Sequence, residues 1–402
     1  MRIQYACNRN ERIIKAISIE MGNLVMLERR RKQLITNAKE KQFDIVLIND
    51  PSNLYYYTGF TGGEAIFLLL VENGEGYVIT DSRYYEQVEK ECPKLTLVRM
   101  EKRGYCDTVK DVFTKISEEM QWSFGLSNNS SGKSKSSVSV AIEESMNLSW
   151  YLKLLKMCEG YDFQLATEWI NACRMVKDSE ELNKIRQAEA IGDAAFTHIL
   201  SLIKPGVSEM DIALELEFFM KKQGATKLSF DTIVASGPNS SMPHAQVTNR
   251  KIQCGDFVTM DFGCVYQGYC SDMTRTVAVG QPSKEMKKIY DIVLQANLCA
   301  MEGIREGIEC NVIDALARDY IAEKGYGAYF GHGLGHGVGL DIHEEPRFSP
   351  KCDVITKENM VITDEPGIYL PGQFGVRIED LIVVKKDGYE KLSMSEKELI
   401  IL

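Results

Sequence analysis

The stretch VTMDFGCVYQGYCSDMTRTVAVG, residues 258–280, reads as two β-strands folded onto each other. Its two runs flank Val265-Tyr266-Gln267-Gly268, and a hairpin centred between Tyr266 and Gln267 sets Asp261 directly opposite Asp272. Directly opposed side chains share one face, with Cβ atoms about 5 Å apart. Carboxylates that close repel unless a proton or a cation sits between them. An exposed hairpin would leave them in solvent, but the apolar neighbours of Asp261 in VTMDFG argue for burial. Buried paired carboxylates favour a hard or borderline divalent metal. Cys264 and Cys270, in the same stretch, have no paired Cys or His at zinc spacing and read as buried thiols.

A second acidic pair repeats the arrangement. A hairpin centred on Gly372 places Glu365 opposite Glu379, although Pro366 removes a ladder donor and makes that register less secure. Arg377 shares a strand face with Glu379 by the two-residue period. It is either an ordinary salt-bridge partner or a group that orients a ligating carboxylate. Four of the five histidines, His244, His332, His336 and His343, fall within 244–343, while His198 lies on an amphipathic helix and reads as structural. In GHGLGHGVGL the glycines around His336 allow close backbone approach. The segment lacks the Walker lysine and the Rossmann context of a phosphate loop. One imidazole with four carboxylates is the ligand mixture of a two-metal hydrolytic centre, with metals roughly 3.5–4 Å apart.

Around this core the chain runs to 402 residues, which predicts two or three domains. Hydrophobic residues at 44% and charged residues at 26% exclude wholesale disorder, and the longest apolar run, Ala65 to Val71, is too short to cross a bilayer. A net charge of -10 argues against nucleic acid as the main partner. The eleven cysteines include no C-x-x-C pair, and no secretory signal is visible at the N-terminus, so free thiols and a cytoplasmic location are expected. Residues 1–23 do not match the pattern of the remaining chain, with Met21 and Met26 as alternative starts. Residues 24–175 alternate helices and strands as an α/β domain. An amphipathic helix is expected from Leu27, with others at 82–91 and 105–121, and SNNSSGKSKSS (127–137) as a surface loop. From 176 to 402 helices and antiparallel strands indicate an α+β domain. There Asp178-Ser-Glu-Glu181 is a capping box, Leu182, Ile185, Ala188, Ala195, Ile199 and Leu202 recur at helical spacing, and Ser208 opens a second helix.

The residues also carry a family resemblance. SFDTIVASGPNSSMPHA, VTMDFGCVYQGYCSDMTRTVAVG, GHGLGHGVGLDIHEEP, ITDEPGIYLPG and GVRIEDLIVV, in that order, resemble the creatinase/aminopeptidase P/prolidase group. NLYYYTGF and YVITDSRYYEQ resemble its N-terminal domain more weakly. The resemblance implies a pita-bread catalytic domain preceded by a smaller α/β creatinase-like domain. It also implies a dinuclear site, with Asp272 and Glu379 bridging two divalent ions, Asp261 completing one shell, and His336 with Glu365 the other. All five positions are intact, unlike metal-free creatinase. Asp364 stands where the family commonly has an apolar residue, and either tunes metal affinity or points into solvent.

The activity implied is hydrolysis of the peptide bond before proline in a proline-containing di- or oligopeptide. Glu365 would accept the nucleophile's proton, His343 stabilise the tetrahedral intermediate, and His244 contact substrate or shuttle a proton. The alternative for His244 is a capped loop histidine. Arg347, in HEEPR, matches the prolidase position whose guanidinium binds a dipeptide's carboxylate, with a salt bridge to Glu344 or Glu345 as the alternative. Phe230 and Tyr369 are pocket walls by position. Xaa-Pro dipeptidase is therefore favoured over Xaa-Pro aminopeptidase, and both over methionine aminopeptidase or a non-catalytic binding protein. Manganese suits the carboxylate-rich set, cobalt and zinc are compatible, and a homodimer is the family expectation.

Overall fold

The computed structural model describes residues 22, 24–101, 104–124, 133–135 and 137–402. The expected N-terminal extension lies outside them apart from Gly22. So does most of the 127–137 loop, except that 133–135 form a short strand parallel to Trp122–Phe124. The chain divides into two compact units, the first ending at Cys173 and the second running from Arg174 to Leu402.

The first unit is built on a six-stranded mixed sheet. Its order is Thr96–Arg99, Gly76–Thr80, Ile66–Leu70, Ile45–Ile48, Val138–Ile142, Tyr161–Leu165. Both faces of the central strands are buried, which explains why IVLI and IFLLL are continuous apolar runs rather than alternating ones. The helix Tyr105–Glu119 covers one face through Val109, Val112, Phe113 and Ile116, at helical spacing. Residues 24–40 are helical, and the helix expected at 82–91 is confined to Tyr85–Glu91. Asp50 caps the helix Pro51–Thr58. Beside it, Glu143 accepts from the backbone of Asn49 (2.6 Å) and Asp50 (2.8 Å) and from Asn53 Nδ2 (2.7 Å).

The second unit repeats one plan. Helices Ser179–Ile199 and Glu209–Lys222 precede a sheet of Ile233–Ser236, Phe257–Phe262 and Met273–Ala278. Helices Lys284–Gly303 and Cys310–Glu323 then precede a sheet ordered Glu344–Phe348, Gly335–Gly337, Val361–Asp364, Asp380–Lys385, Gly388–Lys391. Capping boxes at Asp178 and Ser208 open the first two helices. Leu202 lies beyond the end of the first helix and is exposed, so it leaves the apolar series. In each half the helices bury apolar stripes against the back of the strands. The opposite strand faces, where the acidic residues sit, are left to form the site.

Candidate metal centre and the cavity around it

The first hairpin differs in register from expectation. Its turn is Gln267-Gly268, both with positive φ (49° and 89°), so Tyr266 pairs with Tyr269 and Asp261 pairs with Thr274 rather than with Asp272. Two central residues of positive φ make the tight turn whose twist matches the strands, and glycine supplies one of them without strain. The correction is a shift of two residues, which preserves side-chain parity. Asp272 becomes the diagonal neighbour of Asp261 on the same face, and both line one cavity. In the second hairpin the ladders on either side of Glu365 share one register, Asp364 with Asp380 and Gly367 with Arg377. Glu365 thus faces Glu379.

The two halves deliver these groups to one place. His336 Nε2 lies 3.5 Å from both Asp272 Oδ2 and Glu365 Oε1. One ligand atom each from Asp272, His336 and Glu379 falls within 4.8 Å of the others. Such convergence needs close backbone approach. A Cβ on Gly335, next to His336, would stand 1.9 Å from Thr363 O, and one on Gly263 would stand 2.0 Å from Ser271 O.

The electrostatics are those of a cation site. Burial, then Glu379 and the other carboxylates, raises Asp272 well above the usual carboxylate range; burial and Glu365 do the same to Glu379. Burial pushes Glu365 up to about 8. Arg377 is the buried cation among them, donating to Asp261 Oδ2 at 2.6 Å, Thr274 Oγ1 at 3.1 Å, Tyr369 Oη at 2.9 Å and the Pro243 carbonyl at 3.1 Å. Asp261 Oδ1 is buried with no hydrogen-bond partner among the described residues. Burial and then His343 depress His336 to about 3, so its ring is neutral. Its Nδ1 lies 3.2 Å from Gly337 O, which places the proton there and turns the Nε2 lone pair towards the carboxylates. An orphaned carboxylate oxygen, a neutral imidazole and four acids around one guanidinium fit divalent cations.

The cavity encloses about 770 Å³ and is also lined by Phe230, His244, His332, His343 and Arg347. The His343 ring meets His336 edge-on, centroids 4.5 Å apart. Arg347 is paired across the strands with His336, and its nearest ion-pair atom is Glu345 Oε1 at 3.8 Å. Glu344, the alternative partner for it, is instead bound by Arg174 and Lys177.

Several placements differ from the sequence expectations or were missed by them. Tyr369 is not a cavity wall but lies behind it, between Arg377 and His332 Nε2 (2.9 Å to each). Asp364 does not point into solvent. Its neighbour Glu365 takes the site face, so Asp364 is fully buried on the other, opposite Asp380, and both its carboxyl oxygens lack partners among the described residues. Burial and Asp380 raise it well above the ordinary range. His332 was passed over, although it stands four residues before His336 in the same glycine-rich run; burial and then Arg377 lower it to about 4. Thr274, which donates to Glu379 Oε2 at 2.6 Å, carried no sequence signal. His198 is outside the cavity, 2.7 Å from Glu215 and stacked on Phe219. Cys264 and Cys270 are buried thiols, each raised to about 12 by burial.

Comparison with known proteins agrees with this geometry. Metallopeptidase family M24 matches residues 183–386, and the creatinase/prolidase N-terminal domain matches residues 30–176. The chain belongs to metallopeptidase family M24 and is a peptidase, a family assignment that implies divalent metal ions. It is similar to the uncharacterized peptidase YqhT of Bacillus subtilis (strain 168), 41% identical over 360 residues, 89% of this chain and 96% of that one. Among solved structures, the Xaa-Pro dipeptidase from Bacillus anthracis has a TM-score of 0.85 at 40% identity, covering 94% of this chain and 100% of that chain. The X-Pro aminopeptidase from Thermotoga maritima MSB8 has a TM-score of 0.80 at 36% identity, covering 92% and 99%.

Proposed function

We propose that this peptidase hydrolyses Xaa-Pro peptide bonds and is an Xaa-Pro dipeptidase. The observation that carries the preference is Arg347, a guanidinium on the cavity wall across the strand pair from His336, whose ion pair with the exposed Glu345 is a long 3.8 Å contact through Nε. Such a fork suits the terminal carboxylate of a dipeptide. Asp261, Asp272, His336, Glu365 and Glu379 are the proposed ligands of two divalent ions, with manganese preferred and cobalt or zinc compatible. When bound, such ions supply Lewis acidity, acidifying water and polarising a carbonyl.

The chain's own groups do the rest. Glu365 takes the proton of the attacking water on a carboxylate oxygen and returns it to the leaving prolyl nitrogen. His343, beside His336, donates to the oxygen on which charge develops. His244, at the exposed edge of the cavity, contacts substrate or relays a proton. Arg377 holds Asp261 in place through its 2.6 Å bond. Phe230 supplies an apolar wall for the substrate.

A second reading, Xaa-Pro aminopeptidase, is favoured by the cavity volume of about 770 Å³, which leaves room beyond two residues. Among the described residues no helix is long and apolar enough to cross a membrane, and ten cysteines are free thiols. We take the cytoplasm as the compartment on that cysteine usage. The proposed assembly is a homodimer, on family resemblance.

A panel of Xaa-Pro dipeptides, Xaa-Pro-Yaa tripeptides and Met-Ala-Ser, assayed with added manganese, cobalt or zinc, tests the assignment. Dipeptides should be turned over best. Faster tripeptide cleavage would make the protein an aminopeptidase, and cleavage of Met-Ala-Ser alone would overturn proline specificity.

A further inference from the structure

Behind the cavity wall lies a buried ion cluster with no part in the hydrolytic chemistry itself. Arg174, Lys177 and Glu344 are each less than a tenth exposed. Arg174 Nη2 donates to Asp341 Oδ2 at 2.6 Å and also to Glu344 Oε1. Lys177 Nζ reaches Glu344 Oε2 at 3.1 Å, and the Asp341 amide donates to Glu344 Oε1 at 3.1 Å. Burial alone would neutralise Glu344, but Lys177 and Arg174 hold it at about 2, so it stays ionised.

His343 lies in the chain between Asp341 and Glu344, so one guanidinium grips side chains on both sides of it. Glu344 also stands where the strand register shifts. His336 pairs with Arg347, yet the next residue, Gly337, pairs with Glu344, leaving Glu345 and Pro346 bulged out. A strand that gains two residues at a bulge has alternative pairings, and a slip would carry Arg347 and His343 away from His336. Buried ion clusters seldom add net stability over apolar packing; their best-attested use is to select one register.

We infer that Arg174, Lys177, Asp341 and Glu344 are positioning residues that hold His343 and Arg347 against His336, an inference that rests on Xaa-Pro hydrolysis as the activity of the site. They touch no substrate and act through the two residues they hold.

The test uses the metal-loaded full chain with Asp341→Asn, the milder change at a half-exposed residue, and Glu344→Gln, each alone and combined with His343→Ala. On an Xaa-Pro dipeptide, Glu344→Gln should lower kcat by up to about 100-fold, as misplacement of a catalytic group does, and Asp341→Asn by less. Elemental analysis should show metal content unchanged in both. In the His343→Ala background each change should cost clearly less in kcat than it does alone, because one of the two groups it positions is gone and only its effect through Arg347 is left. Full additivity in that background, or metal loss in step with activity, would overturn the inference.

A readout independent of turnover keeps the two proposals apart. In zinc-loaded protein, where the ion is diamagnetic, the imidazole resonances of His343, assigned by their absence in His343→Ala, should be a single sharp set in the unmutated protein and shifted or doubled in both variants. Unchanged resonances overturn the inference whatever the substrate. An unmutated enzyme inactive on every Xaa-Pro peptide, with the resonances displaced as expected, overturns the substrate assignment alone.

Discussion

Thr274 donates its hydroxyl to Glu379 Oε2 across 2.6 Å, joining the first sheet of the second unit to an acidic residue carried by the second. The bond restrains the Glu379 carboxylate through its Oε2 atom. Thr274→Val keeps the volume and removes the donor. Outer partners of metal-ligating groups typically contribute about 10–100-fold in affinity, so manganese binding measured by calorimetry should weaken by that factor. Unaltered affinity would mean that packing alone orients Glu379.

His336 and His343 touch, yet they should fail in different ways. His336→Ala removes the imidazole whose Nε2 faces Asp272 and Glu365, so elemental analysis should show one metal depleted. His343→Ala should retain both metals and lose mainly kcat, as expected of a group acting on the transition state. Metal loss in His343→Ala would erase the distinction.

Arg347 sets the expected dependence on substrate length. Adding one residue after proline leaves an amide where a carboxylate faced the guanidinium. Loss of a charge-assisted hydrogen bond costs on the order of 1.5–3 kcal/mol, roughly ten- to a hundredfold in kcat/KM. Arg347→Ala should therefore impair dipeptides far more than tripeptides, whereas equal losses on both would make its role structural.

Glu143 gives the first unit a pH dependence. Burial raises its carboxyl to about 7, opposed by the amides of Asp50 and Asn49. A carboxyl raised on folding contributes stability that is fully present below its unfolded value and lost as pH rises through its folded value. Between pH 5.5 and 8.5 the loss from a shift of this size is about 2 kcal/mol. Glu143→Gln removes the titration. Thermal unfolding followed across that window should show the variant gaining on the unmutated protein as pH rises; parallel curves would mean that Glu143 is ionised throughout.

How far the sequence carries depends on the range of each interaction. Side-chain parity along a strand is local, so the shared face of Asp261 and Asp272 was legible even with the hairpin centre misplaced by one residue and every partner by two. The turn chemistry that settles the register lies in Gln267-Gly268, where a positive-φ pair outweighs apparent symmetry. Gly372, with φ of 70°, sits at the true centre of the second hairpin, so Glu365 and Glu379 follow by counting. What was not legible is contact across the chain. Arg174 meets Glu344 from 170 positions away, and nothing near either residue announces the other. The position of Tyr369 behind the wall depends on Arg377 and His332 filling the space in front of it.

Gly263 and Gly335 make this centre vulnerable at positions that take no part in its chemistry. Each backbone lies so close to a carbonyl that even one methyl group would sit about 2 Å from the oxygen. Any single-base change in either glycine codon that alters the amino acid installs a Cβ. Inherited damage to the enzyme should therefore fall on these two hydrogens as readily as on the charged groups they bring together, and no choice of metal in the medium would repair it.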